Sequence, residues 1–142
     1  MAIILPRTFM AASYDFLEAK VAQSITTRFI TADDNLVTYA GTAWNEQKEL
    51  RFVRNTSEME SNTLIVKAEA MASVGTTNIG FFINSESNPR KVLSTVGTAF
   101  TLLEGTCYIG DLLNGINSIK INLQNLEYGT SYQQLIEIWE KR

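Results

Sequence analysis

Residues 64–72 read LIVKAEAMA, and this stretch decides the fold. Its apolar series, which runs from Leu64 to Ala72 on even numbers, alternates with positions that include Lys67 and Glu69. Successive side chains of a strand point to opposite faces of a sheet, so strict alternation indicates a strand with one buried face. The sequence therefore predicts a long half-buried strand here.

The same alternation recurs through the rest of the chain, with short breaks rich in Gly, Asn, Ser and Thr between the apolar series. Eight to ten short strands with a turn every eight to twelve residues are typical of an all-β protein. We predict an antiparallel jelly-roll-like β-sandwich. The residues expected to be buried are Leu64, Val66, Phe81, Ile83, Ile119, Ile121, Ile136 and Ile138.

Two local features refine this prediction. Residues 74–77, Val-Gly-Thr-Thr, have the length and composition of a hairpin loop between the strand 64–72 and the strand that contains Phe81. Gly105 is expected to separate two short strands, 99–104 and 106–109.

The pattern divides the chain into two parts within what we expect to be one domain. Residues 49–142 are strongly patterned and form the predicted jelly-roll core. Residues 1–48 are weakly patterned: residues 16–22 favour two helical turns, whereas residues 25–31 and 36–39 favour strands. This N-terminal segment is therefore predicted to be partly strand, and a docking arm is one of two interpretations of it.

Composition excludes several classes of function. The formal net charge is -3 and the pI about 5.0, so no basic surplus exists to neutralise nucleic-acid phosphates. No apolar run is long enough to span a bilayer. Charged residues make up only 19% of the chain, so much of its polar surface is uncharged, as on the exposed face of an assembly.

The sequence contains few residues that are suited to catalysis. The chain has no His and one Cys, Cys107, which the alternation places in the core, so no nucleophile–base pair is expected. Candidate carboxylates on or beside strands are expected to face solvent; they are Glu69, Glu104, Glu127 and Glu137. Residues 33–35 and Asp111 offer oxygens that Ca²⁺ accepts, but turn capping explains them better. We predict a protein that is not an enzyme, without cofactor or metal.

The segment 98–139 carries a resemblance. Its successive pieces are residues 98–102 (TAFTL), 108–112 (YIGDL), 114–121 (NGINSIKI), 129–132 (GTSY) and 135–138 (LIEI). It resembles the last strands of carbohydrate-binding-module-like jelly rolls, and similar small sandwiches occur in phage virion proteins as capsid decorations, head fibres and tail-associated modules. The resemblance implies the fold more than the activity.

From these observations we expect a non-enzymatic virion structural protein, either a capsid decoration, a head fibre or a tail-associated module. It would be made in the host cytoplasm without a signal peptide and would contact other virion proteins or sister subunits as a homo-oligomer. The alternative is a carbohydrate-binding module that presents aromatic rings to a glycan. The candidate ligand-binding residues are Trp44, Tyr128 and Trp139.

The apolar N-terminal stretch is the candidate protein-contact surface. Large apolar groups near a terminus need cover, from the protein's own core or from another chain. Two possibilities stay open: a first strand of the sandwich, or an arm that docks on a partner or sister subunit. The residues predicted to make protein contacts are Ile3, Ile4, Leu5, Phe9, Met10, Tyr14 and Phe16.

Overall fold

A computed structural model describes residues 27–56 and 62–141. The predicted contact residues of the N-terminal arm and the expected helical turns of residues 16–22 lie outside this range. Nine strands occur in the described part, and no helix there is long and apolar enough to cross a membrane. The strands are β1 (Thr27–Asp33), β2 (Val37–Tyr39), β3 (Asn45–Arg54), β4 (Thr63–Ala72), β5 (Thr77–Ile83), β6 (Lys91–Thr95), β7 (Thr101–Tyr108), β8 (Gly115–Gln124) and β9 (Ser131–Lys141).

The strands form two antiparallel sheets. The first sheet has the order β1-β9-β4-β7, and the short β2 continues along β9 beyond the end of β1. The second sheet has the order β3-β8-β5-β6. Apart from β5 and β6, consecutive strands from β3 onward lie in different sheets, which is the connectivity of a jelly roll. The predicted all-β, antiparallel jelly-roll-like sandwich is confirmed.

The core lies between the sheets and is made by the inward residues of each alternating strand. All eight residues predicted to be buried are at most 1% exposed, and Cys107 is buried with them. On β4 the inward series shrinks to Ala68, Ala70 and Ala72, whereas β5 on the facing sheet contributes the bulky Phe81. Small and large side chains on facing sheets keep the interior densely packed.

The structure corrects two local predictions. Residues 74–77 do not close a hairpin, because β4 and β5 lie in different sheets and the loop arches from one to the other. Gly105 does not interrupt a strand either, since β7 runs through it and pairs it with Val66. A Cβ at Gly105 would meet Cε of Lys91 at 2.5 Å, so the glycine makes room for a side chain from β6.

The strands β1 and β2 belong to the sandwich. Both pair with β9, and the expected segment boundary between residues 48 and 49 falls inside β3. Lys48 joins these elements from between the sheets: its Nζ donates to the carbonyl of Gln134 at 2.6 Å and lies 3.0 Å from Oδ1 of Asp33. Residues 33–35 therefore act as a capped turn next to a buried cation.

Candidate functional site

The three aromatic residues predicted to bind a ligand lie on different parts of the molecule. Trp44 precedes β3 and lies on the outer face of the second sheet, whereas Trp139 is on β9 and faces outward from the first sheet. Tyr128 lies in the loop between β8 and β9 and is 86% exposed. The structure therefore does not bring the three rings together into one platform.

The ring of Trp139 already has neighbours. Phe29 meets it edge to face, with ring centroids 5.4 Å apart, and the Nζ of Lys67 lies 5.2 Å from its centroid. Its indole nitrogen donates to Glu137 at 2.9 Å. These contacts hold the ring against the sheet and occupy groups that a ligand would otherwise use.

Trp44 lies in a different environment, beside a second aromatic ring. It meets Phe82 edge to face, with ring centroids 5.6 Å apart. Gly80 lies beneath the pair, and a Cβ there would come within 2.9 Å of the Trp44 ring and 2.8 Å of the Phe82 ring. The glycine thus lets Trp44 rest directly on the backbone of β5.

Polar side chains lie beside these rings at positions that are set by the pairing of β3, β8 and β5. Asn122 stands opposite Glu46 on β3 and Gly80 on β5, and Lys120 stands opposite Phe82. Glu46, Lys120 and Asn122 line a cleft of about 390 Å³ together with the two rings. We call it the Trp44 cleft; its residues are Trp44, Glu46, Phe82, Asn84, Ser85, Glu86, Ser87, Lys120 and Asn122.

Asn122 carries an unsatisfied polar atom in this cleft. Its Oδ1 is buried and has no hydrogen-bond partner. A buried acceptor left in this state costs about 1–3 kcal/mol. A hydroxyl donor on a ligand could satisfy the atom if the surrounding side chains shift to admit it.

A chain of hydrogen bonds fixes the loop that carries Trp44. The side chain of Gln124 donates to the carbonyl of Thr42 at 3.1 Å and accepts from Asn78 at 3.1 Å. The backbone N–H of Asn125 donates to the carbonyl of Gly41 at 2.8 Å. Trp44 is therefore held in place before any ligand arrives, which lowers the entropy cost of binding.

The wall formed by residues 84–90 is held by Arg90. Its guanidinium bonds Glu86 and, at 2.6 Å, Asp111, and it donates to the carbonyl of Tyr108 at 2.9 Å. Hydrogen bonds from Arg90 lower the pKa of Glu86 and that of Asp111 and raise the pKa of Arg90 itself. Asp111 thus serves to anchor a loop.

The charges of the cleft are largely paired. The Nζ of Lys120 lies 3.9 Å from Glu46, and Glu86 is paired with Arg90. Within residues 27–56 and 62–141, no group of three Asp, Glu or Cys residues could hold a metal ion. Burial raises the pKa of the Cys107 thiol to about 11, so the thiol is a poor nucleophile at neutral pH.

Of the residues of the Trp44 cleft, Trp44 was named as a candidate from the sequence, whereas Phe82 and Asn122 were not. The signal for Phe82 is the pair Phe81-Phe82, because two successive aromatic residues in an alternating strand cannot both face the core. Asn122 carries no such signal, since outward Asn residues on strands are common and its significance depends on the ring beside it.

Comparison with known proteins supports the fold and leaves the ligand open. No protein-family model matches the sequence, and no curated protein matches it. The chain is similar to part of the insecticidal delta-endotoxin Cry8Ea1 from Bacillus thuringiensis, with a TM-score of 0.53 and 11% identity over 72% of this chain. It spans 19% of that toxin.

A second similar structure is the carbohydrate-binding module CBM36, solved in complex with calcium and xylotriose. The TM-score is 0.51 at 15% identity, and the match covers 77% of this chain and 99% of the module. The expected likeness to carbohydrate-binding-module-like jelly rolls is therefore confirmed for the fold, and neither of these two structures is a virion protein. At such identities the likeness extends to the fold alone.

Proposed function

We propose that this chain is a non-catalytic carbohydrate-binding module that holds a glycan in the Trp44 cleft. The observation that carries the proposal is the meeting of two aromatic rings with a row of polar side chains on one outer sheet face. Binding sites for small ligands typically combine apolar and aromatic walls with a few placed polar groups. A sugar matches this combination because its ring has an apolar C–H face and a rim of hydroxyls.

Each residue of the cleft has a role in this proposal. The indole of Trp44 packs against the C–H face of one sugar unit, with Phe82 supporting the indole from the side. Asn122 accepts a hydrogen bond from a sugar hydroxyl, and Lys120 and Glu46 bond further hydroxyls at the rim. Shape and stacking provide much of the affinity, and the polar groups select the orientation.

The charge pattern favours a neutral glycan. The one cation of the cleft, Lys120, lies beside Glu46, and Glu86 adds a further carboxylate that Arg90 offsets. A uronate or sulfate group would therefore meet little net positive charge, and like charges repel. We expect neutral polysaccharides to bind better than acidic ones.

The test compares two matched tryptophan variants. Binding of neutral and acidic soluble polysaccharides is measured by affinity electrophoresis and calorimetry for the wild type, Trp44→Ala and Trp139→Ala. We expect Trp44→Ala to weaken binding at least about tenfold, or ~1.4 kcal/mol, and Trp139→Ala to leave it nearly unchanged. Loss of binding in Trp139→Ala alone, or no binding to any polysaccharide, would overturn the proposal.

A virion structural role, with the virion as the site of action, is the second candidate. The observation that favours it is the apolar N-terminal stretch with Ile3, Leu5 and Phe9, which would suit attachment to another protein. Its test is co-purification of the chain with phage particles. A protein that never occurs in particles would contradict this candidate without affecting the glycan proposal.

A further inference from the structure

An apolar groove runs along one side of the sandwich, away from the Trp44 cleft. It lies where β1, at the edge of the first sheet, faces β3, at the edge of the second. Its volume is about 430 Å³, and its lining includes Ile30, Phe52, Val53 and Ile116. Val53 and Ile116 are 61% and 73% exposed, which is unusual for large aliphatic side chains that stand side by side.

The strand β3 borders this groove with an open edge. It is ten residues long, and among the described strands only β8 pairs with it. A long edge strand presents a row of backbone N–H and C=O groups that readily accept another strand. Side chains from both sheets form the walls of the groove, so both faces of an added strand would pack against side chains.

The chain itself supplies a segment that fits. Residues 1–26 precede Thr27, the first residue of β1, and the next residue, Arg28, lines the groove. Within them, residues 14–17 read YDFL, in which Tyr14 and Phe16 alternate with Asp15. In a strand, the two rings would point to one face and the carboxylate to the other.

The charge of residues 14–17 and the length of chain that connects them to β1 also agree with this placement. Arg51 borders the groove and is well exposed, with Glu49 at 3.8 Å as a neighbour. Asp15 on an added strand would give it a second carboxylate. The ten residues 18–27 span at most about 33–36 Å when extended, which is enough to turn back along β3.

We infer that residues 13–18 add as a strand to the open edge of β3 in the same molecule, with Asp15 on the outward side beside Arg51 and with Tyr14 and Phe16 on the inward side of the groove, against Phe52 and Ile30. A short tether gives such a segment an effective concentration in the millimolar range, so it outcompetes a second copy at ordinary concentrations. The added strand closes the edge and thereby protects the protein from edge-to-edge association. This inference is independent of the glycan proposal.

A cysteine pair tests the placement. The double variant Asp15→Cys, Arg51→Cys is oxidised with oxidised glutathione, and the product is analysed by non-reducing electrophoresis and mass spectrometry. We expect a monomer with one internal disulfide; the native Cys107 is buried and does not compete. A disulfide-linked dimer would show that the occupant comes from a second copy, and either a dimer or no cross-link overturns the inference.

The control moves one cysteine to the far edge of the same sheet. Ser94 lies exposed on β6, so Asp15→Cys, Ser94→Cys should form no internal disulfide. Equal cross-linking in both pairs would mean that the segment samples the whole surface, which also overturns the inference.

Hydrogen exchange gives a readout that does not depend on oxidation. We expect Tyr14→Ser, Phe16→Ser to accelerate exchange of the β3 backbone amides, whereas the matched variant Ile3→Ser, Ile4→Ser should not. The same exchange rates in β3 for wild type and both variants would contradict the inference. If the first variant fails to fold, the cysteine pair decides alone.

Discussion

At the scale of single residues, Asn122 has a polar atom whose burial is costly to the free protein. Its buried Oδ1 accepts no hydrogen bond, although the residue lies in a sheet whose other amides, such as Asn78 and Gln124, are bonded to each other. An unsatisfied acceptor beside two aromatic rings is a feature that stability alone does not favour. Under the proposed function, a sugar hydroxyl would be the missing donor.

This view predicts opposite effects on stability and binding. Replacement of Asn122 by Leu removes the unsatisfied acceptor and keeps a similar volume, so we expect the unfolding temperature to stay the same or rise. Affinity for a neutral polysaccharide should fall roughly tenfold, or ~1.4 kcal/mol. Scanning calorimetry and titration calorimetry measure the two effects. A variant that is clearly destabilised yet binds normally would contradict the assignment.

The Arg90 cluster makes the cleft wall sensitive to acid. Hydrogen bonds from Arg90 lower the pKa values of Glu86 and Asp111 from their ordinary values of 4.5 and 3.8. A lowered folded-state pKa adds stability that is fully present above the ordinary value and is lost as the pH falls through the folded-state value.

We therefore predict that stability declines as the pH falls below about 4.5 and that Arg90→Met makes this decline shallower. Thermal unfolding at several values between pH 7 and pH 2.5 provides the measurement. The control is Arg51→Met, which removes an exposed cation away from this cluster and should leave the slope unchanged. Identical slopes for Arg90→Met and wild type would show that the cluster contributes nothing to acid stability.

At the scale of the element, β5 contributes residues both to the core and to the Trp44 cleft. Its inward face gives Phe81 to the core, and its outward face gives Gly80 and Phe82 to the Trp44 cleft. The closeness of the Trp44 ring to the backbone at Gly80 sets the depth of the cleft. A side chain at this position would lift the indole from the sheet.

The substitution Gly80→Ala tests this role of β5. The new methyl group would lie within 3.0 Å of both rings, so the indole of Trp44 or the ring of Phe82 would have to shift. We expect affinity for the glycan to fall several-fold while the unfolding free energy changes by less than about 1 kcal/mol. The control is Thr106→Ala on the outer face of the first sheet. Normal binding by Gly80→Ala would show that the position of the indole does not matter.

The alternation of side chains predicted the strands well because it reports burial directly. It identified eight inward apolar residues on β4, β5, β8 and β9, all of which are buried, but not the buried polar residues of β9 such as Gln133 and Glu140. It could not tell which sheet a strand joins, since an arch between sheets and a hairpin both separate two alternating runs by a short polar loop. The predicted hairpin at residues 74–77 failed for this reason.

The candidate site was harder to predict than the strands. Trp44, Tyr128 and Trp139 were chosen from the sequence as aromatic residues, but the topology places them on different surfaces. A site depends on which outward residues of neighbouring strands share a row. The row that joins Glu46, Asn122 and Gly80 requires the pairing of β3 with β8 and of β8 with β5.

At the scale of the whole molecule, the jelly roll separates its surfaces. The Trp44 cleft occupies the outer face of the second sheet, and the apolar groove lies along the β1 and β3 edges. The two linings share no residue, so a ligand in the Trp44 cleft would not touch the lining of the groove. The contact of residues 3–10 with another chain stays a prediction from the sequence, because these residues lie outside the described part of the chain.

Deletion of residues 2–12 tests this contact while it keeps residues 13–18. We expect the shortened protein to unfold cooperatively and to lose the self-association or the particle attachment that we predict for the full chain, since each large apolar side chain removed from water contributes roughly 1.5–3 kcal/mol. Mass photometry or light scattering, with glycan binding as the control activity, provides the readout. Loss of cooperative unfolding would mean instead that the segment is an ordinary core strand.

The most direct test of the proposed function is to map where a glycan binds. Proton–nitrogen correlation spectra are recorded while a neutral oligosaccharide is added to the labelled protein. We predict shifts of the Trp44 indole N–H, the Gly80 amide and the Asn122 side-chain amide, with the Trp139 indole unmoved. Shifts centred on Trp139 and Phe29, or no shifts with any neutral oligosaccharide, would contradict the assignment of the Trp44 cleft as a glycan site.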